Sequence, residues 1–200
     1  MTFIQSVASP APSYPGAGRR LRRDIGETDD MNAAVKHPTQ IGAPTLKDAM
    51  RQLAGGVCVI TAGIGDERTG LTVTSAASLS VAPPTMIVCV NRDASALPII
   101  QLRRHFCVNV LAARHRDVAD RFAGRGGVKG AARYSGANWS ALATGALALE
   151  GAPAAIDCEV EDFIERHSHF IVIGAVKALE VSPGRPLIYG QGEYGALAPV

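Results

Sequence analysis

The 200-residue chain has no excess of either charge, few aromatic residues and no long apolar run. Its 20 Lys and Arg against 18 Asp and Glu leave a formal net charge of +2, too small for a protein whose whole surface binds polyanions. The few aromatic residues outside residues 1–44 are not interleaved with basic ones, as single-strand binding requires. No segment approaches the ~18 apolar residues of a membrane span, and no secretory signal is recognisable. We therefore expect a cytoplasmic protein with no nucleic-acid or membrane partner.

Cysteine motifs for metal or redox chemistry are also missing, because no two of the 4 cysteines have CxxC spacing. Each cysteine lies inside an apolar, strand-like run, where a thiol behaves as a small hydrophobic side chain. These residues are Cys58, Cys89, Cys107 and Cys158. The 5 histidines form no cluster with Cys or carboxylates at ligand spacing. We predict reduced cysteines in the core and no metal site.

Residues 1–44 differ in composition from the rest of the chain. They carry several prolines, glycines and serines and the basic run Arg19–Arg23, with no helical or strand period. This composition predicts a disordered N-terminal extension, followed by one ordered domain over residues 45–200. Met31 is an alternative start, so the sequence leaves open whether residues 1–30 are translated.

The ordered part is predicted to contain many strands and a few short helices. Thr45 is expected to cap a first helix that ends at Gly55-Gly56, and Ser95 a second one that runs to about Arg104. A third helix is predicted over residues 115–123. Strands are predicted over 57–62, 70–74, 85–91, 105–111, 154–161, 168–181 and 193–197. Without regular βαβ alternation or a GxGxxG motif after a strand, this pattern favours a mainly β barrel over a Rossmann fold.

The densest polar feature is the segment 70–84, GLTVTSAASLSVAPP, which carries five hydroxyl groups. Small side chains let the backbone approach a flat ligand, and hydroxyl and N–H groups can bind ring carbonyls or phosphate oxygens. The same composition also suits an edge strand that faces water. The residues alone leave both interpretations open.

From Leu46 onwards the sequence resembles the flavin reductase family with the FMN-binding split-barrel fold, the reductase partners of two-component flavin-dependent monooxygenases. The resemblance is carried, in order, by segments 50–61, 70–84, 86–91, 106–111, 168–176 and 187–194. It implies a homodimeric, mainly β split barrel with short helices. It also implies an NAD(P)H-dependent flavin reductase that takes NADH or NADPH, reduces FMN or FAD, and releases reduced flavin to a separate oxygenase.

The resemblance also implies the site residues. The flavin contacts fall on two groups, Thr72, Val73, Thr74, Ser75, Ala76 and Ser78, and then Cys89, Val90, Asn91 and Ser95. The catalytic histidine of the family falls on His169, near the nicotinamide and the flavin, although Ser168 stands where many relatives have an acidic residue. His167 is the second candidate, because strand alternation would put it on the same face.

Several alternatives remain open at this stage. Arg92 and Arg125 are either phosphate ligands or solvated surface arginines, and Tyr189 and Tyr194 either contact ligand or fill the core. The main functional alternative is a split barrel with tightly bound flavin that resembles pyridoxine-phosphate oxidase. A non-catalytic module that binds flavin or heme is the other alternative.

Overall fold

The computed structural model describes residues 45–197, so the predicted extension over residues 1–44 lies outside the described residues. Helices α1, α2 and α3 span Leu46–Met50, Leu97–Arg103 and Arg116–Phe122. The strands β1 to β12 are, in chain order, Gly55–Gly56, Cys58–Ala62, Thr69–Val73, Ala76–Val81, Pro84–Asn91, His105–Val110, Trp139–Ala141, Leu147–Leu149, Ala154–Arg166, His169–Val181, Leu187–Gly190 and Glu193–Ala196. Short 3-10 helices lie at Gly65–Glu67, Ala113–His115, Arg125–Gly127 and Gly130–Tyr134.

Seven strands form one antiparallel sheet in the order β3-β2-β6-β9-β10-β5-β4. β3 and β4 lie at opposite edges of this sheet, yet only Thr74 and Ser75 separate them in the chain. Three Cα–Cα steps bring the two strand ends within about 11 Å of each other. The sheet must therefore curl into a barrel, and the break in pairing between β3 and β4, which we call the seam, leaves the barrel split.

β2 shows how the sequence builds two cores around this sheet. Its even-numbered residues Cys58 and Ile60 face the inside of the barrel, where they pack with buried residues such as Val90 and Phe106. Val59 faces the other way, into a second cluster that contains Phe122 of α3. Because both faces are covered, all five residues of β2 are buried, and the strand shows no alternation of apolar and polar side chains.

The second cluster contains an aromatic group that closes the outside of the barrel. Phe122, Tyr134 and Trp139 lie with ring centroids 4.9–5.5 Å apart, and Trp139 Nε1 donates to the Tyr134 carbonyl oxygen over 3.0 Å. Gly70 lies beneath this group, and a Cβ there would approach Ile60 O to 2.3 Å and the Phe122 ring to 2.7 Å. A glycine is therefore required where β3 passes under α3.

Two predicted helix boundaries need correction. α1 begins as expected, with a capping box between Thr45 and Asp48, but Gly55 and Gly56 do not end it. They form β1, which pairs with β11, because a glycine backbone with no side chain lies flat in the ladder as readily as it ends a helix. Ser95 does not cap α2, since the N-cap residue is Ala96 and no side chain supplies the capping hydrogen bond.

The predicted strands are otherwise found close to their expected positions, while β4, β7, β8 and β11 were not expected as separate strands. All four cysteines are free, and Cys58, Cys107 and Cys158 are buried, as predicted, whereas Cys89 is half-buried. Within residues 45–197 no group of three His, Cys, Asp or Glu side chains is arranged to hold a metal ion. In the same range no helix is long and apolar enough to cross a membrane.

Candidate functional site

The candidate site is an exposed strip on the outside of the barrel, beside the seam. Val88 and Val90 of β5 are fully buried, so the alternating residues Cys89 and Asn91 face away from the core. His169, at the start of β10, lies directly opposite Asn91 across the ladder and shares its face. Ser75 joins them at the seam, because its hydroxyl donates to the Cys89 carbonyl oxygen over 2.9 Å. We call Ser75, Cys89, Asn91 and His169 the outer strip.

The dimensions of the outer strip suit a flat, three-ring ligand. Cys89 and Asn91 lie about 7 Å apart along β5, and β10 lies about 5 Å to its side. Ser75, Asn91 and His169 are all exposed, and Cys89 is half-buried. The surface is therefore open to a ligand without any rearrangement of the core.

Three other predicted contacts turn their side chains toward the barrel core. Val90 is 0% exposed, and both Ala76 and Val73 pack against the barrel core. Thr72 is half-buried, and its hydroxyl donates to the Ala119 carbonyl oxygen over 2.7 Å, which ties β3 to α3. Thr74 is exposed, so it presents its hydroxyl to solvent at the seam.

Ser78 and Ser95 lie at the margin of the site. Ser78 is opposite Met86 in the β4–β5 ladder, about 10 Å along β4 from Ser75, and it is not part of the outer strip. Ser95 is exposed in the turn between β5 and α2. That turn stays close to the end of β5, because the Ala94 N–H donates to the Asn91 carbonyl oxygen over 3.0 Å.

The histidines separate clearly in the structure. His169 Nδ1 lies 2.9 Å from the Ser168 hydroxyl, so this pair shares a hydrogen bond. The alternation argument for His167 is wrong, because β9 ends at Arg166 and His167 lies in the following turn with a φ of 51°. The ladder resumes only at His169, and strand alternation does not apply across a turn.

The two candidate arginines have different surroundings. The Arg92 guanidinium contacts the Glu165 carboxylate and donates to the His167 carbonyl oxygen over 2.7 Å. Arg92 is thus engaged in holding the β9–β10 turn. Arg125 forms an ion pair with Asp120 at 3.0 Å and also lies beside a cavity.

This cavity, which we call the seam cavity, has a volume of about 240 Å³. It lies between the end of β3, the loop after α3 and the β11–β12 hairpin. Its walls are formed by Val57, Thr72, Val73, Thr74, Ala123, Arg125, Tyr189 and Tyr194. Tyr189 and Tyr194 meet edge to face at 5.3 Å between ring centroids and also pack against the second core cluster. Core packing is therefore shown for these two residues, and their position in the cavity wall leaves ligand contact a prediction.

Sequence reasoning did not single out the cavity as a unit, because its walls come from four separate parts of the chain. The glycines around Arg125 were the only local signal. Gly124 and Gly126 have φ angles of 79° and 72°, which L side chains rarely adopt.

The antiparallel barrel is split at one seam, and an exposed strip and a small cavity lie beside that seam. This is the architecture expected of a flavin-binding split barrel. A family model of the flavin reductase like domain matches residues 50–198. The chain belongs to this flavin reductase family, as its sequence predicted.

Named relatives agree with this assignment. The FMN reductase (NADH) RutF 2 of Methylorubrum extorquens (strain PA1) is 41% identical over 161 residues, which cover 80% of this chain and 92% of that protein. The flavin-dependent monooxygenase reductase subunit HsaB of Mycobacterium tuberculosis (strain ATCC 25618 / H37Rv) is 33% identical over 163 residues, covering 80% and 85%.

A solved structure shares the fold over most of the chain. The NADH:FAD oxidoreductase SgcE6 of Streptomyces globisporus C-1027, solved in complex with NAD and FAD fragments, superposes with a TM-score of 0.70 and 28% identity. The match covers 77% of this chain and 92% of that one. The predicted split-barrel fold is therefore confirmed.

Proposed function

We propose that this chain is an NAD(P)H:flavin oxidoreductase, which reduces FMN or FAD and supplies reduced flavin to a separate monooxygenase. The observation that carries the proposal is the outer strip, where His169 and the seam residues lie within reach of one flat ligand. The names of the relatives support FMN, FAD and NADH as substrates, and the name of HsaB supports a monooxygenase partner.

The chain's residues fit a flavin substrate at the outer strip. Thr74 and Ser75 are both exposed, and the hydrogen bond from the Ser75 hydroxyl to Cys89 O fixes the course of the chain between β3 and β4. Its N–H groups and the Thr74 hydroxyl supply hydrogen bonds for the polar edge of the ring system. Donors placed there also stabilise negative charge on the reduced ring. Thr72, Val73 and Ala76 contribute mainly through backbone and shape, and Cys89, Val90 and Asn91 form the floor.

The chemistry comes from the two nucleotides, since no amino-acid side chain transfers a hydride from nicotinamide C4 to flavin N5. The protein contributes proximity and orientation. His169 positions the nicotinamide and does not act as a general base. Ser168 orients the imidazole, because its hydroxyl shares the 2.9 Å hydrogen bond with Nδ1, and this leaves Nε2 for the ligand.

The openness of the outer strip favours exchangeable flavin over a tightly held prosthetic group. Within one subunit Ser75, Asn91 and His169 are all exposed, so this surface by itself leaves one face of a ligand uncovered and buries too little of it for very tight binding. Flavin that enters and leaves is what a reductase needs if it supplies a separate oxygenase. The alternative, a split barrel with tightly bound flavin, predicts a yellow protein that keeps its colour through dialysis.

A homodimer is the second part of the proposal. Leu79 and Val81 of β4 are 55% and 87% exposed, and Leu46, Met50 and Leu53 in and after α1 are between 57% and 77% exposed. A second copy that covers these side chains would shield apolar surface beside the seam. Light scattering should then give about twice the chain mass of 20.9 kDa, and the mass of a single chain at micromolar concentration would contradict this part. The cytoplasm, where reduced nicotinamide is available, is the proposed location.

The experiment that tests the function is the oxidation of NADH by purified protein with and without added flavin. NADH and NADPH are each combined with FMN and FAD, and initial rates give kcat and KM for every pair. Oxidation that depends on added flavin and saturates with it supports the proposal. A protein that binds flavin but oxidises neither nicotinamide would contradict it and favour the non-catalytic module.

A further inference from the structure

The turn between β9 and β10 is short, has an unusual conformation and lies directly before His169. Arg166, the last residue of β9, pairs with His169, the first residue of β10, so only His167 and Ser168 form the turn. His167 has a φ of 51°, which is uncommon for a residue with a side chain. Such a conformation persists only where the surrounding structure holds it. The turn before His169 therefore depends on contacts from outside it.

Arg92, which follows the last residue of β5, makes these contacts. Its backbone N–H donates to the Ser168 carbonyl oxygen over 2.9 Å. Its guanidinium donates to the His167 carbonyl oxygen over 2.7 Å and also contacts the Glu165 carboxylate of β9. One residue thus contacts both members of the turn and the strand that leads into it.

The chain around Arg92 is itself fixed. Asn91 Oδ1 accepts from the Asp93 N–H over 2.8 Å, and the Asn91 carbonyl oxygen accepts from the Ala94 N–H over 3.0 Å. Asn91 also lies opposite His169 in the ladder. The end of β5 is therefore connected to His169 in two ways, directly through the ladder and indirectly through the turn that Arg92 contacts.

The indirect connection concerns the direction of the imidazole. The Ser168 hydroxyl shares a 2.9 Å hydrogen bond with His169 Nδ1, and Arg92 binds the carbonyl oxygen of the same serine. A turn that relaxes would move Ser168 and take this partner away from the imidazole. The side chains of Arg92 and Glu165 are 53% and 55% exposed, so their ion pair adds little to the stability of the fold.

We propose that Arg92 is a positioning residue for hydride transfer, which acts through the β9–β10 turn to orient His169 toward the nicotinamide. The inference rests on the proposed function, because it requires that His169 positions the nicotinamide. It gives Arg92 a role different from the phosphate ligand and the solvated surface arginine that the sequence left open.

The kinetic test changes Arg92 and His169 singly and together. Arg92→Ala should lower kcat/KM for NADH about fivefold, the effect of losing one partly exposed charge-assisted hydrogen bond, and by no more than His169→Ala does. In the His169→Ala background it should have no further effect, because a residue that acts through His169 loses its role with that side chain. Arg92→Lys, which keeps the charge but loses the planar fork, should fall between Arg92→Ala and wild type.

Two further readouts separate positioning from ligand binding and from loss of stability. The KM values of Arg92→Ala for FMN and for riboflavin, which lacks the phosphate, should both stay within about twofold of wild type. The variant should melt within about 2 °C of wild type. Arg103→Ala is the matched control, because Arg103 forms a similarly exposed pair with Glu67 in another part of the fold, and it should keep wild-type kinetics.

Amide hydrogen exchange tests the turn without any nucleotide. The peptide that contains His167, Ser168 and His169 should exchange about fivefold faster in Arg92→Ala than in wild type, because the turn opens more often. Its exchange should be unchanged in Arg103→Ala. Faster exchange together with wild-type kinetics would show that Arg92 holds the turn but that the turn does not orient His169.

The other outcomes each contradict a specific part of the proposal. Additive losses in the double variant would mean that Arg92 acts independently of His169. A raised KM for FMN but not for riboflavin would make Arg92 a phosphate ligand. Unchanged kinetics and unchanged exchange would make it a solvated surface arginine. A wild-type protein that oxidises neither NADH nor NADPH with any flavin would contradict the proposed function instead, and the exchange measurement would still test whether Arg92 holds the turn.

Discussion

At the scale of single residues, the proposed function assigns the nicotinamide to one histidine, His169, at the first ladder position of β10. His169 is held by its pairing with Asn91 and by the Ser168 hydroxyl. His167, two residues earlier, lies in the turn that Arg92 holds through a carbonyl oxygen. The two imidazoles are neighbours in sequence, but only His169 is part of the outer strip.

Substitution of each histidine in turn tests which of the two binds the nicotinamide. His169→Ala should lower kcat/KM for NADH by about tenfold, the effect of losing one hydrogen bond to the substrate. The KM for flavin should change by less than about twofold. His167→Ala is the control with the same chemistry and should behave as wild type in steady-state kinetics. A loss confined to His167→Ala would show that the turn, and not the strand, carries the functional histidine.

At the scale of elements, the hairpin β7–β8 depends on buried polar contacts from the barrel. Asn109 of β6 is fully buried, and its amide donates to the Val59 carbonyl oxygen at 3.2 Å and accepts from the Leu149 N–H at 2.6 Å. Thr61 of β2 donates to the Leu147 carbonyl oxygen at 2.6 Å. The bonds to Leu147 and Leu149 give backbone groups of the hairpin their partners on the barrel side.

Asn109→Ala should therefore lower the free energy of unfolding by about 1–3 kcal/mol, because it leaves the buried Leu149 N–H without its partner. Chemical denaturation measures the change. Asn138→Ala, at an exposed asparagine, is the matched control and should stay within about 0.5 kcal/mol. Equal stability of the two variants would mean that the Asn109 hydrogen bonds contribute no net stability.

The sequence predicts elements better than it predicts how they meet. The sequence pattern predicted most strands at their observed positions, and Thr45 correctly predicted the start of α1. The sequence predicted a strand over 70–74, but not the break at Thr74-Ser75, after which β4 begins on the opposite edge of the sheet. Local composition does not reveal such a break, because it follows from barrel closure. Likewise, Ser95 has the right chemistry for a cap, but the chain turns one residue later, at Ala96.

The candidate site was predictable only where family resemblance supplied positions. Composition alone left segment 70–84 open between a ligand surface and a solvated edge strand. The prediction for His167 was wrong because strand alternation was extended through a turn. His167 has a φ of 51° in this turn, which the sequence does not indicate. The seam cavity was missed as a unit since its walls come from distant segments. The individual site residues remain predictions until variants are measured.

At the scale of the whole molecule, the reactivity of the four thiols tests both the described core and the proposed position of the flavin. Burial raises the pKa of Cys58 to about 11 and of Cys158 to about 12, and it raises that of Cys107 as well. Thiolate is the reactive form, so these three thiols should be nearly inert in the native protein near neutral pH. Cys89, half-buried on the outer strip, is the exception.

A thiol-specific reagent should therefore modify one cysteine in the native protein and all 4 after unfolding. Saturating FMN should slow the reaction of Cys89, because the flavin would cover it. Mass spectrometry of the modified peptides identifies the site, and Cys89→Ala should abolish the fast phase. Fast modification of Cys58, Cys107 or Cys158 would contradict the described core, and an FMN-independent rate at Cys89 would contradict the location of the flavin.

In the proposed function, the open surface of the split barrel holds flavin only while a hydride is delivered. Anaerobic mixing of the protein with NADH and a large excess of FMN tests it most directly, with the loss of oxidised flavin followed by absorbance. We predict that each subunit reduces many equivalents of FMN until one substrate is exhausted. Reduction that stops at one equivalent per subunit would contradict the account.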